Sequence, residues 1–455
     1  MFRCLTIFVE TVKEAGMASE YQSSAYPRDL ASFVRDRWPT VGAPGCSPLP
    51  DLTVLDHLIS VCYQASLLQE EGRPVRFRLI FLPPDRLAPD LGPPAGLHRL
   101  LLRDNLPLTE RELRKLSPSV DFYGSLIGLW QDEKSGLSIW GIVHSGPRWT
   151  QSLYGGGKDF QPLPDSLVIN VTNPGRITVC NGSTEIATLN SGKIASPSIA
   201  VFSSTWIRSE FASIDDEELA LHREARKHAK KPWAAIDRNF FETIKKQALM
   251  RIIGRIRSNR HGGTLIAIPD ELKEEFLSTN PYVRLKYRFV DEEPCRRFRT
   301  LIVKMANELA EFYGSPENPE REVGWTEYLT SKNQTLSRLD ESLFEWAHLV
   351  VGMTQVDGAV LITHRLELIG FGAEISGKLE RVDEVAQALD SEGIEIRKER
   401  TDGVGTRHHS AYSLCNALHE VAAIVVSQDG TAQLVKWNDG MVTVWEQLSP
   451  SLIEV

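Results

Sequence analysis

The residues best suited to chemistry lie in two loops within the last hundred positions. Asp402-Gly403-Val404-Gly405-Thr406-Arg407-His408-His409-Ser410 sets two glycines, an arginine and two imidazoles before a short helical pattern. Glycines let backbone N–H groups approach an anion, a helix N-terminus favours negative charge, and Arg407 offers a bidentate fork, so the loop can cradle phosphate without a Walker lysine. A solvated glycine turn with Arg407 in a surface ion pair answers to the same residues. The second loop, Val356-Asp357-Gly358-Ala359, puts an acid at the head of an apolar strand, where it could hold a divalent cation or simply make a turn. The common alternatives are missing. Gly157-Lys158, Gly192-Lys193 and Gly377-Lys378 are followed by Asp159, Ile194 and Leu379, so there is no P-loop, and neither G-x-S-x-G nor H-E-x-x-H occurs.

The elements that must position these loops alternate in type. Helical spacing marks Asp29 to Trp38 and Leu52 to Glu71, the latter running into a strand at Val75 to Phe81. Short β-type runs follow at Leu126 to Trp130, Leu137 to Val143, Leu167 to Val171, Ile177 to Cys180, Ile186 to Leu189 and Ile199 to Phe202, with Gly155-Gly156-Gly157 as a flexible tip. Farther on the pattern reads helix (Ile236 to Ser258), strand (Thr264 to Pro269), helices (Cys295 to Tyr313 and Leu336 to Met353), strand (Ala359 to Thr363), helix (Val382 to Ser391), helix (Ser410 to Leu418) and strand (Ala422 to Ser427). Two hairpin strands, 431 to 436 and 441 to 446, close the chain. The expected fold class is α/β in the looser α+β sense: a β-rich first part, then an α/β sandwich with an antiparallel edge. The expected domains are 17–214, a charged linker 215–231, and 232–448 with a helical insertion over about 295–351. Met17 is a candidate start.

At 455 residues, 42% hydrophobic and 24% charged, the chain has an ordinary globular composition, which excludes fibrous, disordered and disulfide-scaffold classes. No apolar run is long enough for a transmembrane helix, and the start does not read as a signal peptide. Six scattered cysteines with no CxxC pair fit a reducing cytoplasm. The net charge of −9 disfavours polyanions, yet Arg223 to Arg260 carries twelve basic against three acidic residues. A nucleic-acid track is one reading of that run, and a solvated basic helix face is the expected one.

Taken together, Asp357-Gly358-Ala359, then some fifty residues on Gly405-Thr406-Arg407-His408, a short helix and a strand ending Val425-Val426-Ser427 resemble the bacterial diadenylate cyclase domain. The helix ending at His261-Gly262-Gly263 and the strand after it are similar to that family's opening elements, and the preceding region is similar to the sensor region of some members. The resemblance implies two domains meeting face to face in a homo-oligomer, each holding one ATP, and making cyclic di-AMP, a second messenger, with two pyrophosphates. It implies that Asp357 is catalytic and binds Mg²⁺ or Mn²⁺. It also implies that Gly358, Ala359, Phe371, Gly405, Thr406, Arg407, His408, His409 and Ser410 contact nucleotide.

Two departures stand out. The family reads R-H-R where this chain has Arg407-His408-His409, exchanging a guanidinium fork for an imidazole. The family's acidic segment is replaced by Cys415 to Glu420, with Glu420 as the substitute metal ligand. The alternative to an active cyclase is therefore a weak or inactive domain that senses ATP or a cyclic dinucleotide. The sensor ligand is not specified by the sequence.

Overall fold

The computed structural model describes residues 24–38, 47–93, 96–122, 124–132, 136–146, 163–190, 192–195, 201–289, 292–318, 320–428 and 430–446. Trp149, Gly155-Gly156-Gly157, the Ile199 end of an expected strand and Asp429 lie outside them, as does Met17.

The first part is built on an eight-stranded sheet: β1 (Phe77–Phe81), β2 (His98–Pro107), β3 (Ser125–Asp132), β4 (Gly136–His144), β5 (Leu167–Asn173), β6 (Arg176–Asn181), β7 (Thr184–Asn190) and β8 (Lys193–Ala195). Its order is β8-β7-β6-β5-β1-β3-β4-β2, antiparallel except for β1 against β3. Helices α1 (Pro27–Arg37), α2 (Leu52–Ser66) and α3 (Glu110–Leu116) accompany it. Leu55, Leu58 and Cys62 of α2 pack with Phe77, Leu79, Ile127 and Ile169, because the alternating strand residues give that sheet face an apolar stripe to match the helix. On the other face Trp140 packs with Ile80, Leu126 and Val168 and donates its indole N–H to the Leu82 carbonyl at 2.9 Å.

The second part has α4 (Thr205–Lys227), α5 (Asn239–Asn259), β9 (Gly263–Ile268), α6 (Lys273–Ser278), β10 (Val283–Arg288), α7 (Glu292–Tyr313), α8 (Trp325–Thr330), α9 (Gln334–Met353), β11 (Ala359–Thr363), β12 (Leu368–Ile375), β13 (Glu384–Ala388), β14 (Ile396–Arg400), α10 (Thr406–Ala417), β15 (Ala422–Val426), β16 (Ala432–Asn438) and β17 (Met441–Glu446). The nine strands lie in the order β10-β12-β11-β9-β15-β16-β17-β13-β14. Only β9 with β11 and β17 with β13 are parallel. The class is α/β as the sequence implied, a β-rich first part followed by helices and a mixed sheet, but antiparallel pairing runs through the second sheet rather than along its edge. Helices α5, α7 and α9 pack through Ile244, Ile252, Phe298, Ile302, Trp346 and Val350 against Leu265, Val360 and Ile424 on one sheet face. Helix α10 covers part of the other through Ala411, Tyr412 and Cys415.

Several expected elements differ. Val382 to Ser391, expected as a helix, is strand β13, because pairing with β17 and β14 overrides the helical propensity of its alanines and glutamate. Val201–Ser203 is a 3₁₀ turn rather than strand. Asp215 to Lys227, expected within a charged linker, is the second half of α4, and that helix is packed: Trp206 lies on Trp445 with ring centroids 5.2 Å apart, and Glu210 meets Lys436 at 2.7 Å. The basic run is not uniformly solvated. Lys245 is buried against Asp215 at 2.5 Å and Glu218 at 2.7 Å, and buried Arg251 lies over the Phe344 ring.

Candidate functional site

Strand order decides which loops meet. Leu265 pairs with Val360 across the parallel β9–β11 ladder, and Gly263 pairs with Val426 across the antiparallel β9–β15 ladder. The N-terminal ends of β9 and β11 and the C-terminal end of β15 therefore share one rim of the sheet. Neighbouring strands are about 4.8 Å apart, so the head of β11 lies about 10 Å from the tail of β15. Asp357 precedes β11 and is exposed on that rim. Gly358 has φ +110°, and a Cβ there would meet the Gly372 carbonyl carbon at 2.6 Å, so only glycine allows this approach to β12. Ala359 is buried in the strand start.

The tail of β15 leads to Ser427, whose hydroxyl lies 3.3 Å from His408 Nε2. His408 stands in the first turn of α10, next to exposed Thr406 and Arg407 and half-buried His409 and Ser410. Gly405 is the N-cap in extended conformation, and its carbonyl accepts from the His408 and His409 N–H groups. A Cβ built at Gly403 or Gly405 meets nothing within 4 Å, so open space lies in front of the loop. Arg407 reaches back to the β9 entrance, with Nη1 3.4 Å from the His261 carbonyl oxygen and 2.9 Å from where a Gly262 Cβ would sit. Gly262 itself has φ +72°. The two candidate loops are thus joined on one rim through the glycines that open β9.

Phe371, in β12, stacks on Tyr287 of β10 with ring centroids 4.7 Å apart and 21° between planes. It lines an open cleft with Met353, Val356, Leu349, His348 and Arg297. Tyr287 is about half exposed, and beside it Lys286 pairs with Glu374 at 2.8 Å. That hydrogen bond, aided by the Glu374 and Asp357 charges, raises the Lys286 pKa, and the same bond together with the Lys286 charge holds Glu374 below the usual carboxylate range.

Glu420 does not join the site. Ala422 pairs with Ala267, so Glu420 stands beyond the C-terminal end of β9 while Asp357 stands at the N-terminal end. The six residues of β9 separate them by about 20 Å. The expectation that Glu420 shares a metal with Asp357 in one chain is corrected by this register. Ser427, Lys286 and Tyr287, which the sequence reading gave no role, lie at the site instead. Ser427 closes the Val-Val-Ser run, while Lys286 and Tyr287 come from a polar edge strand that carries no motif.

Comparison with known proteins adds one assignment. Residues 45–144 match the family model described as Probable sensor domain DACNV. The expectation of a sensor-like N-terminal region is borne out over that stretch, which includes α2, α3 and β1 to β4. No curated protein sequence matches the chain. Among solved structures, a double-mutant form of DacA from Staphylococcus aureus aligns at 12% identity over 46% of this chain and 89% of its own, with a TM-score of 0.22. A hypothetical membrane spanning protein from Bacillus cereus aligns at 12% identity over 53% and 92%, with a TM-score of 0.23. At such scores neither likeness bears on the reading of the site. Among the described residues no helix is long and apolar enough to cross a membrane.

Proposed function

We propose that the chain is a diadenylate cyclase under the control of its DACNV region, working in the cytoplasm on ATP. The observation that supports this most is the strand order β11-β9-β15, which draws Asp357, the Gly405–Ser410 loop and Ser427 to one sheet rim with open space before α10. In the reaction the 3′-oxygen of one ATP bonds to the α-phosphorus of the other. The α–β anhydride bond breaks, pyrophosphate leaves, and the hydroxyl proton is lost to solvent. The reverse attack closes the ring. Positioning and positive charge on the phosphates do most of the catalytic work in such transfers. The Arg407 side chain with the Thr406 and Arg407 N–H groups at the start of α10 holds the phosphates. His408, set by Ser427, adds a donor. Phe371, with Met353 and Val356, offers the base an apolar wall.

Mg²⁺ and Mn²⁺ are commonly held by one or two carboxylates together with substrate phosphates. Asp357 fits that pattern and Glu420 does not, and the described residues contain no cluster of three metal-type ligands. A bound cation would make the attacking hydroxyl more acidic. One rim carries one Asp357 and one phosphate grip, so a second copy of the domain must face it.

The test is Asp357→Asn, which should lose most cyclic dinucleotide formation while ATP affinity stays within about threefold, because the acid acts on the hydroxyl rather than the triphosphate. Full-rate product from Asp357→Asn would overturn the role of that residue. A second reading, binding without turnover, draws on the distance of Glu420 and on His409 in place of a guanidinium. In that reading ATP binds and is recovered intact.

A further inference from the structure

Helix α4 leads from the first part of the chain into the second and packs on α5 and α7. Between it and the middle of the nine-stranded sheet lies an apolar pocket, partly open to solvent. Its floor is two cross-strand rows. Leu434, Ile424 and Leu265 form one, and Ala422, Ala267 and Ile362 form the other. Two alanines side by side in a central row leave room that branched residues would fill, and both are only half-buried where the rest of β9 and β15 is covered. Ile207 and Phe211 of α4 and Leu249 of α5 close the pocket from the helix side. The charged side chains in its walls are already engaged. Arg208 meets Glu242 at 3.0 Å, Glu210 meets Lys436 at 2.7 Å, Asp215 meets Lys245 at 2.5 Å, and Lys246 donates to the Ser203 hydroxyl at 2.6 Å. An ionised ligand would be desolvated here with its counter-charges already taken.

We infer that this pocket binds the hydrocarbon end of an uncharged molecule, a short unbranched chain whose polar end stays in water at the open side. The size points to a chain. The cavity volume is about 80 Å³. An apolar cavity of about 150 Å³ admits a benzene ring, so half that space suits a single chain rather than a ring. Each CH₂ moved from water into such surroundings strengthens binding roughly fourfold. The inference does not rest on the nucleotide reading, since Ala267 and Ala422 lie toward the end of the sheet away from Asp357. A bound chain touches α4 and the sheet together, so occupancy secures the helix that joins the two parts of the protein.

The experiment titrates the n-alkanols from butanol to decanol into the full chain by calorimetry, with melting temperatures measured alongside. Affinity is expected to rise roughly fourfold per CH₂ and then to level off once the chain fills the pocket, with hexanol raising the melting temperature. Ala267→Leu and Ala422→Leu, which fill the floor, are expected to weaken hexanol binding roughly tenfold. Leu249→Ala enlarges the cavity and is expected to move the plateau to longer chains. Hexanoate at about pH 8 is expected to bind the parent more weakly than hexanol. Affinity that climbs through decanol without a plateau, a melting temperature that only falls, or hexanol binding to both leucine variants as to the parent would overturn the site. Should the leucine variants not fold, an unmoved plateau in Leu249→Ala overturns it instead. Hexanoate binding as tightly as hexanol overturns the uncharged class.

Discussion

Replacing Lys245 by methionine tests whether α4 is an integral part of the second unit. Lys245, on α5, is buried between Asp215 and Glu218 of α4 at 2.5 and 2.7 Å, and Glu218 is fully buried. Burial already raises the pKa of both carboxylates, and the lysine charge opposes that rise. Lys245→Met removes the opposing charge and leaves two buried acids side by side, which on the pattern of broken buried ion pairs costs about 3–5 kcal/mol. For a unit of this size that is a melting-temperature loss of about 6–20 °C. The pH dependence has a definite sign. Acids whose folded pKa lies above the unfolded value bind more protons when folded, so the variant is least stable above the folded pKa values. It recovers as pH falls through them towards the unfolded values near 4. Differential scanning calorimetry at about pH 5 and pH 8 reads this. The triple variant Lys245→Met, Asp215→Asn, Glu218→Gln should regain most of the loss, since neutral groups of similar shape replace a buried charge cluster with little net cost. A single variant that melts within about 1 °C of the parent at pH 8 would refute the packed-helix account.

Two further outcomes follow from the site. Specific activity should fall as the protein is diluted below its self-association constant, since one rim holds only one of the two reacting nucleotides; concentration-independent turnover by a monomer would contradict the facing pair. His409→Arg should tighten ATP binding at about pH 8 by roughly 1 kcal/mol if the new guanidinium makes one charge-assisted contact, and titration of ATP into parent and variant checks it. Equal affinities would mean that position 409 does not face phosphate.

The parts of the site that were legible in the sequence are those where glycine has a backbone reason to be present. Gly358 and Gly262 both adopt positive φ against neighbouring backbone, so the Asp357 loop and the entrance to β9 announced themselves. Apolar runs such as Leu361 and Ile362 in β11 or Ile424 to Val426 in β15 marked central strands correctly because both sheet faces are covered. Edge strands were hidden. β14 is Ile396-Arg397-Lys398-Glu399-Arg400, exposed and charged in a way that guards an open edge but erases the strand pattern. β10 is similarly polar, and with it Lys286 and Tyr287 escaped notice. The second half of α4, from Asp215 to Lys227, reads as a linker because its buried residues include Asp215, Glu218 and His222, whose partners lie on other helices and cannot be read from local periodicity. Glu420 was misplaced for the same kind of reason, since only the β9–β15 register shows which end of the sheet it occupies.

The most direct measurement is mass spectrometry of the nucleotides formed when the full chain is incubated with ATP and Mn²⁺. The account predicts a cyclic dinucleotide of two adenylates with two pyrophosphates released per ring, and almost none from Asp357→Asn. ATP recovered intact at protein concentrations that bind it fully would contradict a cyclase and leave the rim as a nucleotide sensor.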